Sequence, residues 1–274
     1  MSYNYGYTAP PPPPPPPPYL VPAHPATASP THQQLVQAAR EFSQWLQSVA
    51  PGATAFICGG LALAMHGNAR STSDADLAID LSRTSRGPGP IGRPIDTNRL
   101  KDLAAQDPHH RFSVGPKIYW LLRTMNGQTV PVQVDFVDAN LFWDPFEAPN
   151  MLCTIPHYPA VVALNLPTLL VSKMRSATER SQPNPNERRQ KQVNDVKDFA
   201  FALDKCLTFQ IPVGIVQLQQ LNRDINIAKA ITRDFWVLAT ALEVQGAPPA
   251  SPLKEGWRRL LQASRAPQEM LNDA

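Results

Sequence analysis

Asp74 and Asp76 stand two residues apart at the head of the apolar run Asp74-Ala-Asp-Leu-Ala-Ile-Asp80. Side chains alternate between the two faces of a strand, so both carboxylates project from one side and converge on one point. Leu77 and Ile79 then turn to the core, and Asp80 shares the parity of Asp76 farther along. Upstream, Gly59 and Gly60 end an apolar segment that reads as a strand over 53–58, and they open a short helix over 61–66. Glycine there permits a tight turn and close backbone approach. The free amides and dipole of a helix N-terminus suit a phosphate. A phosphate seat followed by a pair of carboxylates is the layout expected for handling a nucleoside triphosphate with magnesium.

A third carboxylate belongs to the argument. Asn126-Gly127 marks a hairpin turn, and the return strand over 129–137 alternates. Val130, Val132, Val134 and Phe136 form one face; Pro131, Gln133, Asp135 and Val137 form the other. Asp135 is a lone acid in the middle of this apolar strand, where an unpaired charge is costly. Its partner is either a metal shared with Asp74 and Asp76 or a nearby Arg or Lys, and the preceding motif favours the metal.

The elements around these residues follow from periodicity. Ser29-Pro-Thr31 reads as a helix start, with Leu35, Val36, Ala39, Phe42, Leu46 and Val49 as the apolar stripe and Trp45 beside it. Pro51-Gly52 stops that helix. Residues 82–94 read as a loop carrying Arg83, Arg86 and Arg93, which either covers a triphosphate or an RNA backbone or is a solvated insertion. A helix follows over 96–106, then a short strand over 111–114. Residues 117–125 are apolar on both parities, as for a buried strand. After Pro149 the reading is helical: 164–180, a long helix over 188–207 striped by Val193, Val196, Phe199, Ala200 and Leu203, then 213–230, 232–244 and 253–263. Lys191 and Asp195, four apart, read as a surface pair.

Composition bounds the rest. The chain has 274 residues, a formal charge of +3 and 43% hydrophobic residues. That charge is too mild to imply nucleic-acid binding by itself. Cys58, Cys153 and Cys206 make neither a metal spacing nor a disulfide framework, so a reducing, intracellular setting is expected, cytoplasmic or nuclear. No apolar run reaches the length of a membrane span, and the N-terminus lacks signal-peptide features. Residues 1–30 are proline-rich, with nine prolines in a row from Pro10 to Pro18. Such a run adopts polyproline II. Its end, Pro16-Pro17-Pro18-Tyr19, fits the pattern read by WW domains, and the run itself suits SH3-type grooves; the other reading is a disordered, solvated arm.

Taken together, Gly59-Gly60, thirteen intervening residues, Asp74-Ala-Asp76 and the later Asp135 resemble the nucleotidyltransferase superfamily that includes DNA polymerase beta. Gly59-Gly60-Leu61-Ala62, then Gly67, then Arg70-Ser71-Thr72-Ser73-Asp74-Ala75-Asp76 is most similar to the small nucleotidyltransferases related to abortive-infection toxins. Lys173, Lys191, Asp195 and Asp198 fit that family's helical block more loosely, against a tight Arg-x-x-Lys-Asp-x-x-Asp motif. The resemblance implies an α/β (α+β) fold. A mixed-sheet catalytic domain over 31–150 would be followed by a helical domain over 151–274, with the nucleotide in the cleft between them and the arm of 1–30 outside. It implies transfer of a nucleoside monophosphate from an NTP, with Mg2+ (or Mn2+) on Asp74, Asp76 and Asp135. Gly59, Gly60, Arg70, Thr72 and Lys173 are its nucleotide-binding candidates, with Thr72 favoured as a turn cap. RNA, a protein hydroxyl and a small molecule all stand as acceptors. The competing class is a catalytically inactive protein of the same fold that uses its proline-rich arm to bind WW- or SH3-type partners.

Overall fold

In the computed structural model of the chain, residues 29–84, 95–143 and 146–271 are described. The proline-rich arm with its motif at 10–19, and Arg86 and Arg93 of the basic loop, lie outside these residues. Helix α1 (His32–Val49) starts at Thr31, whose hydroxyl accepts from the Gln34 amide while the Gln34 side chain accepts from the Thr31 amide. This reciprocal capping satisfies two backbone donors at once. Leu35, Ala39, Phe42 and Leu46 line the buried face. Trp45 is part of that face rather than beside it: it is 1% exposed and meets Phe112 edge-on at 4.6 Å. It lies three residues from Phe42, inside the width of a core-facing helical stripe.

The sheet is mixed. Strand β1 (Thr54–Ile57) pairs antiparallel with β2 (Asp74–Asp80) after the short helix α2 (Gly59–Met65). Helix α3 (Thr97–Ala105) leads to β3 (Phe112–Val114) and β4 (Ile118–Arg123), which pair antiparallel. Strand β5 (Thr129–Asp138) pairs antiparallel with β4 and parallel with β2. One-turn helices α4 (Ala139–Phe142) and α5 (Ala148–Met151) precede β6 (Leu152–Ile155) and β7 (Tyr158–Leu164). Strand β7 joins β1 in parallel, giving the order β3-β4-β5-β2-β1-β7-β6. The sheet thus continues past residue 150, where the sequence reads as helical. Strand β6 is four residues long and carries an exposed Thr154, too little pattern to announce a strand. Strand β4 is apolar on both parities but is not buried on both faces: Ile118, Trp120 and Leu122 are buried, while Tyr119 and Leu121 are half-buried.

From Leu166 onward the chain is helical: α6 (Leu166–Glu179), α7 (Pro185–Thr208), α8 (Ile215–Leu218), α9 (Ile225–Leu242), α10 (Ala250–Ala263) and α11 (Gln268–Leu271). The predicted break near 231 is absent. Residues 225–242 hold no glycine or proline, and Asp224 caps the start of one continuous helix through its bond from the Asn226 amide. Phe199 of α7 packs on Phe235 and Trp236 of α9 and on Trp257 of α10. This cluster holds α7 in place, and α7 in turn supplies two buried carboxylates to the site below.

Candidate active site

Parallel pairing of β2 and β5 sets Asp76 directly opposite Asp135, and Asp74 opposite Gln133. One carboxylate oxygen from each of Asp74, Asp76 and Asp135 lies within 4.8 Å of the other two. Asp74 and Asp76 are half-buried. Asp135 is exposed, contrary to the expectation of an acid stranded in an apolar interior, and it accepts a hydrogen bond from Gln133 Nε2 at 2.7 Å. Burial first, and the neighbouring Asp74 second, push the Asp76 carboxyl up to about 6; Lys173 and the Gly60 amide pull the other way. The cluster therefore stores like-charge repulsion that a cation relieves. Its donors are hard oxygens, the set that magnesium, calcium and manganese prefer.

The glycine turn is shaped around Asp76. The Cys58 amide donates to the Asp76 carbonyl at 2.9 Å, and the Gly60 amide donates to Asp76 Oδ2 at 3.0 Å. Gly59 has φ +57°, and a Cβ there would lie 2.1 Å from Asp76 Oδ2. Only glycine tolerates both conditions. Thr72 is the counterpart for Asp74: its hydroxyl donates to Asp74 Oδ1 at 2.9 Å. The Cys58 thiol, adjoining this turn, is buried, and burial together with Asp76 holds its pKa well above the usual value. It is a packed neutral thiol rather than a ligand.

Behind the acids lies an ion-pair network. Lys173 of α6 places Nζ 3.0 Å from Asp195 Oδ1 and 2.9 Å from Asp198 Oδ2. Arg70 forks onto Asp198 through Nε and Nη2, each at 2.9 Å, and Asn68 Nδ2 donates to the same carboxylate at 3.1 Å. Arg180 closes the chain with Nε 2.9 Å from Asp195 Oδ2. Asp195 is 2% exposed and Asp198 fully buried. Burial opposes charge on Lys173 and on Asp198, yet their mutual attraction outweighs it: the lysine is held above its ordinary range and the aspartate below. Asp195 is thus no surface partner of Lys191, which pairs instead with Glu187 at 3.1 Å.

A cleft of about 350 Å³ opens over these groups. Gly60, Arg70, Thr72, Asp74, Asp76, Asp135 and Lys173 all line it, and Gly59 stands behind Asp76. Arg180, Lys191 and Asn194 complete the wall on the helical side. The family model described as "Nucleotidyl transferase AbiEii toxin, Type IV TA system" matches residues 46–211, more than half of the chain.

The chain belongs to the AbiEii nucleotidyltransferase family.

A search of curated proteins found no match. Among solved structures, the chain is similar to an antigenic nucleotidyltransferase-like protein from Paracoccidioides brasiliensis. The identity is 17%, over 74% of this chain and 92% of that one, with a TM-score of 0.47. A STING-associated CdnE c-di-GMP synthase from Capnocytophaga granulosa aligns at 13% identity over 88% and 82%, with a TM-score of 0.26. Both likenesses are distant. Within this AbiEii chain, Lys191, Asn194 and Asp195 of the segment Lys191-Gln-Val-Asn194-Asp195-Val-Lys-Asp198 line the cleft; Asp195 and Asp198 present the Asp-x-x-Asp spacing, and Asn194 stands where the motif has Lys.

Sequence reasoning missed Arg180 and left Asp198 at the margin. The signal was present. Asp195 and Asp198 interrupt the apolar stripe of α7 beside Val196 and Phe199, and Lys173 sits amid the apolar residues of α6. Charges on the buried faces of two adjacent helices imply each other as partners.

Proposed function

We propose that this AbiEii-family protein transfers a nucleoside monophosphate from a magnesium-bound NTP to a hydroxyl acceptor. The observation that carries the reading is the convergence of Asp74, Asp76 and Asp135 within 4.8 Å at the floor of a cleft walled on its other side by cations. The family's nucleotidyltransferase chemistry gives that geometry its meaning. Asp74, Asp76 and Asp135 would hold a divalent cation, whose charge would offset that developing on the triphosphate and would acidify the acceptor hydroxyl.

The chain's own residues do the rest. Asp74 and Asp76 would present the cation to the triphosphate end, Asp74 steadied by Thr72 and Asp76 by the Gly60 amide. Asp135, exposed on the floor, accepts the proton of the acceptor hydroxyl. The acceptor oxygen forms its bond to the α-phosphorus as the α–β phosphoanhydride bond breaks, and pyrophosphate carries the electron pair away. Lys173, Arg70 and Arg180 supply positive charge along the helical wall. Lys173 and Arg70 act mainly by holding the wall together, because each is already paired to buried carboxylates.

The test is label transfer from each α-labelled NTP with magnesium, with pyrophosphate release as the second readout, in wild type and in Asp74→Asn and Asp76→Asn. Loss of both readouts in folded variants supports the reading. Activity retained in both variants removes it.

A further inference from the structure

We propose that Gln133 is a positioning residue for Asp135 and that Lys117 sets the direction in which its amide points; the proposal rests on the metal-carboxylate reading above. Asp135 is the one exposed member of the acid cluster, and an exposed carboxylate is free to change rotamer. Gln133 lies two residues earlier on the same face of β5, opposite Asp74 in register. Its Nε2 donates to Asp135 Oδ2 at 2.7 Å, and its Oε1 accepts from Lys117 Nζ at 2.8 Å.

The three groups fit in only one sense. An ammonium donates only and a carboxylate accepts only, so the group between them must accept on one side and donate on the other. A side-chain amide does this, and the lysine determines which end faces the aspartate. Glutamate at 133 would turn an acceptor toward Asp135 and place a fourth negative charge opposite Asp74. Leucine would leave Asp135 unheld. The amide therefore orders the exposed acid without adding charge to a cluster that is already repulsive.

The experiment titrates Mn2+ alone into the full chain, following free Mn2+ by electron paramagnetic resonance, for wild type, Asp135→Asn, Gln133→Leu and Lys117→Met. Melting temperature is measured alongside. Gln133→Leu is expected to weaken Mn2+ binding about tenfold, the lower end for groups that orient metal ligands, and Lys117→Met to weaken it less but in the same direction. Both are expected to keep the wild-type melting temperature. Lys117→Met leaves β5 itself untouched, so it carries the test even if Gln133→Leu folds poorly. Wild type that binds Mn2+ and is impaired by Asp135→Asn, with Lys117→Met, and Gln133→Leu where it folds, within about twofold of it, overturns the positioning role and leaves the metal reading standing. Wild type that fails to bind Mn2+ removes the metal reading and this proposal with it.

Discussion

Asp198→Asn probes the network that joins the site to the helices. The side chain is fully buried and accepts from Asn68, twice from Arg70, and from Lys173. The substitution is isosteric, so it removes charge without opening a cavity. Lys173, whose side chain is 11% exposed, keeps only Asp195, and Arg70 loses its ion-pair partner. Breaking a buried ion pair by removing one member costs about 3–5 kcal/mol. Arg70 is 31% exposed and regains water, which puts the expected loss near the lower bound, about 3 kcal/mol. That is a large part of the 5–15 kcal/mol typical of a folded domain. Urea unfolding followed by tryptophan fluorescence suits the measurement, since Trp45, Trp120, Trp143, Trp236 and Trp257 are all buried. The pH dependence gives a second handle. The Asp198 carboxyl is held below its ordinary value, so its contribution is complete above pH 3.8 and is lost as the pH falls through its folded value. Wild type and variant should converge as the solution is acidified below about pH 4. A variant within about 0.5 kcal/mol of wild type at pH 7, with unchanged urea dependence, would refute the claim that this network carries stability.

The Asp76 carboxyl behaves in the opposite sense. Its folded pKa is raised from 3.8 to about 6, so the metal-free protein should lose up to about 3 kcal/mol as pH rises across that interval. Asp76→Asn should flatten that profile, and added magnesium should recover the loss in wild type only; calorimetry at pH 4, 6 and 8 checks both. Gly59→Ala places a Cβ against Asp76 Oδ2 in a left-handed conformation, and should cost at least about 1–2 kcal/mol in chemical denaturation and depress label transfer. Thiol titration of the native chain should label Cys153 first, because it is half-buried, and Cys58 and Cys206 only on unfolding, since burial covers both and raises their pKa values. Rapid native labelling of Cys58 would show that the glycine turn is open.

The acid pair and the glycine turn were legible because local chemistry writes them. Asp-x-Asp at period two fixes a shared face, and a glycine pair between an apolar run and a helix fixes a turn. Asp135 was found by its strangeness in an apolar strand, yet its exposure was misjudged, because alternation shows which face a residue occupies and not whether that face is covered. Strands β6 and β7 went unread for a different reason. They pair with each other as a hairpin whose first strand is only four residues long, and β7 joins the rest of the sheet through a distant partner, Ile57 opposite Ala163, which local pattern does not announce. The buried pairs of Asp195 and Asp198 depend on how α6 and α7 pack, which helical periodicity constrains only to a face.

The reach of the Arg70–Asp198 contact has a consequence for the order in which this protein comes into being. All three clustered acids have been synthesised once β5 is complete, but the fork that braces their turn waits for a carboxylate 128 residues after Arg70. A nascent chain that ends before α7 holds the acids and the glycine turn without the brace, and its Lys173 has neither carboxylate to meet. Contacts of such long sequence separation form late, because the intervening chain must be ordered first. The cleft is therefore completed only once α7 has been made, and fragments released before that carry its acidic floor without the Asp195 and Asp198 carboxylates that tie Lys173, Arg70 and Arg180 together.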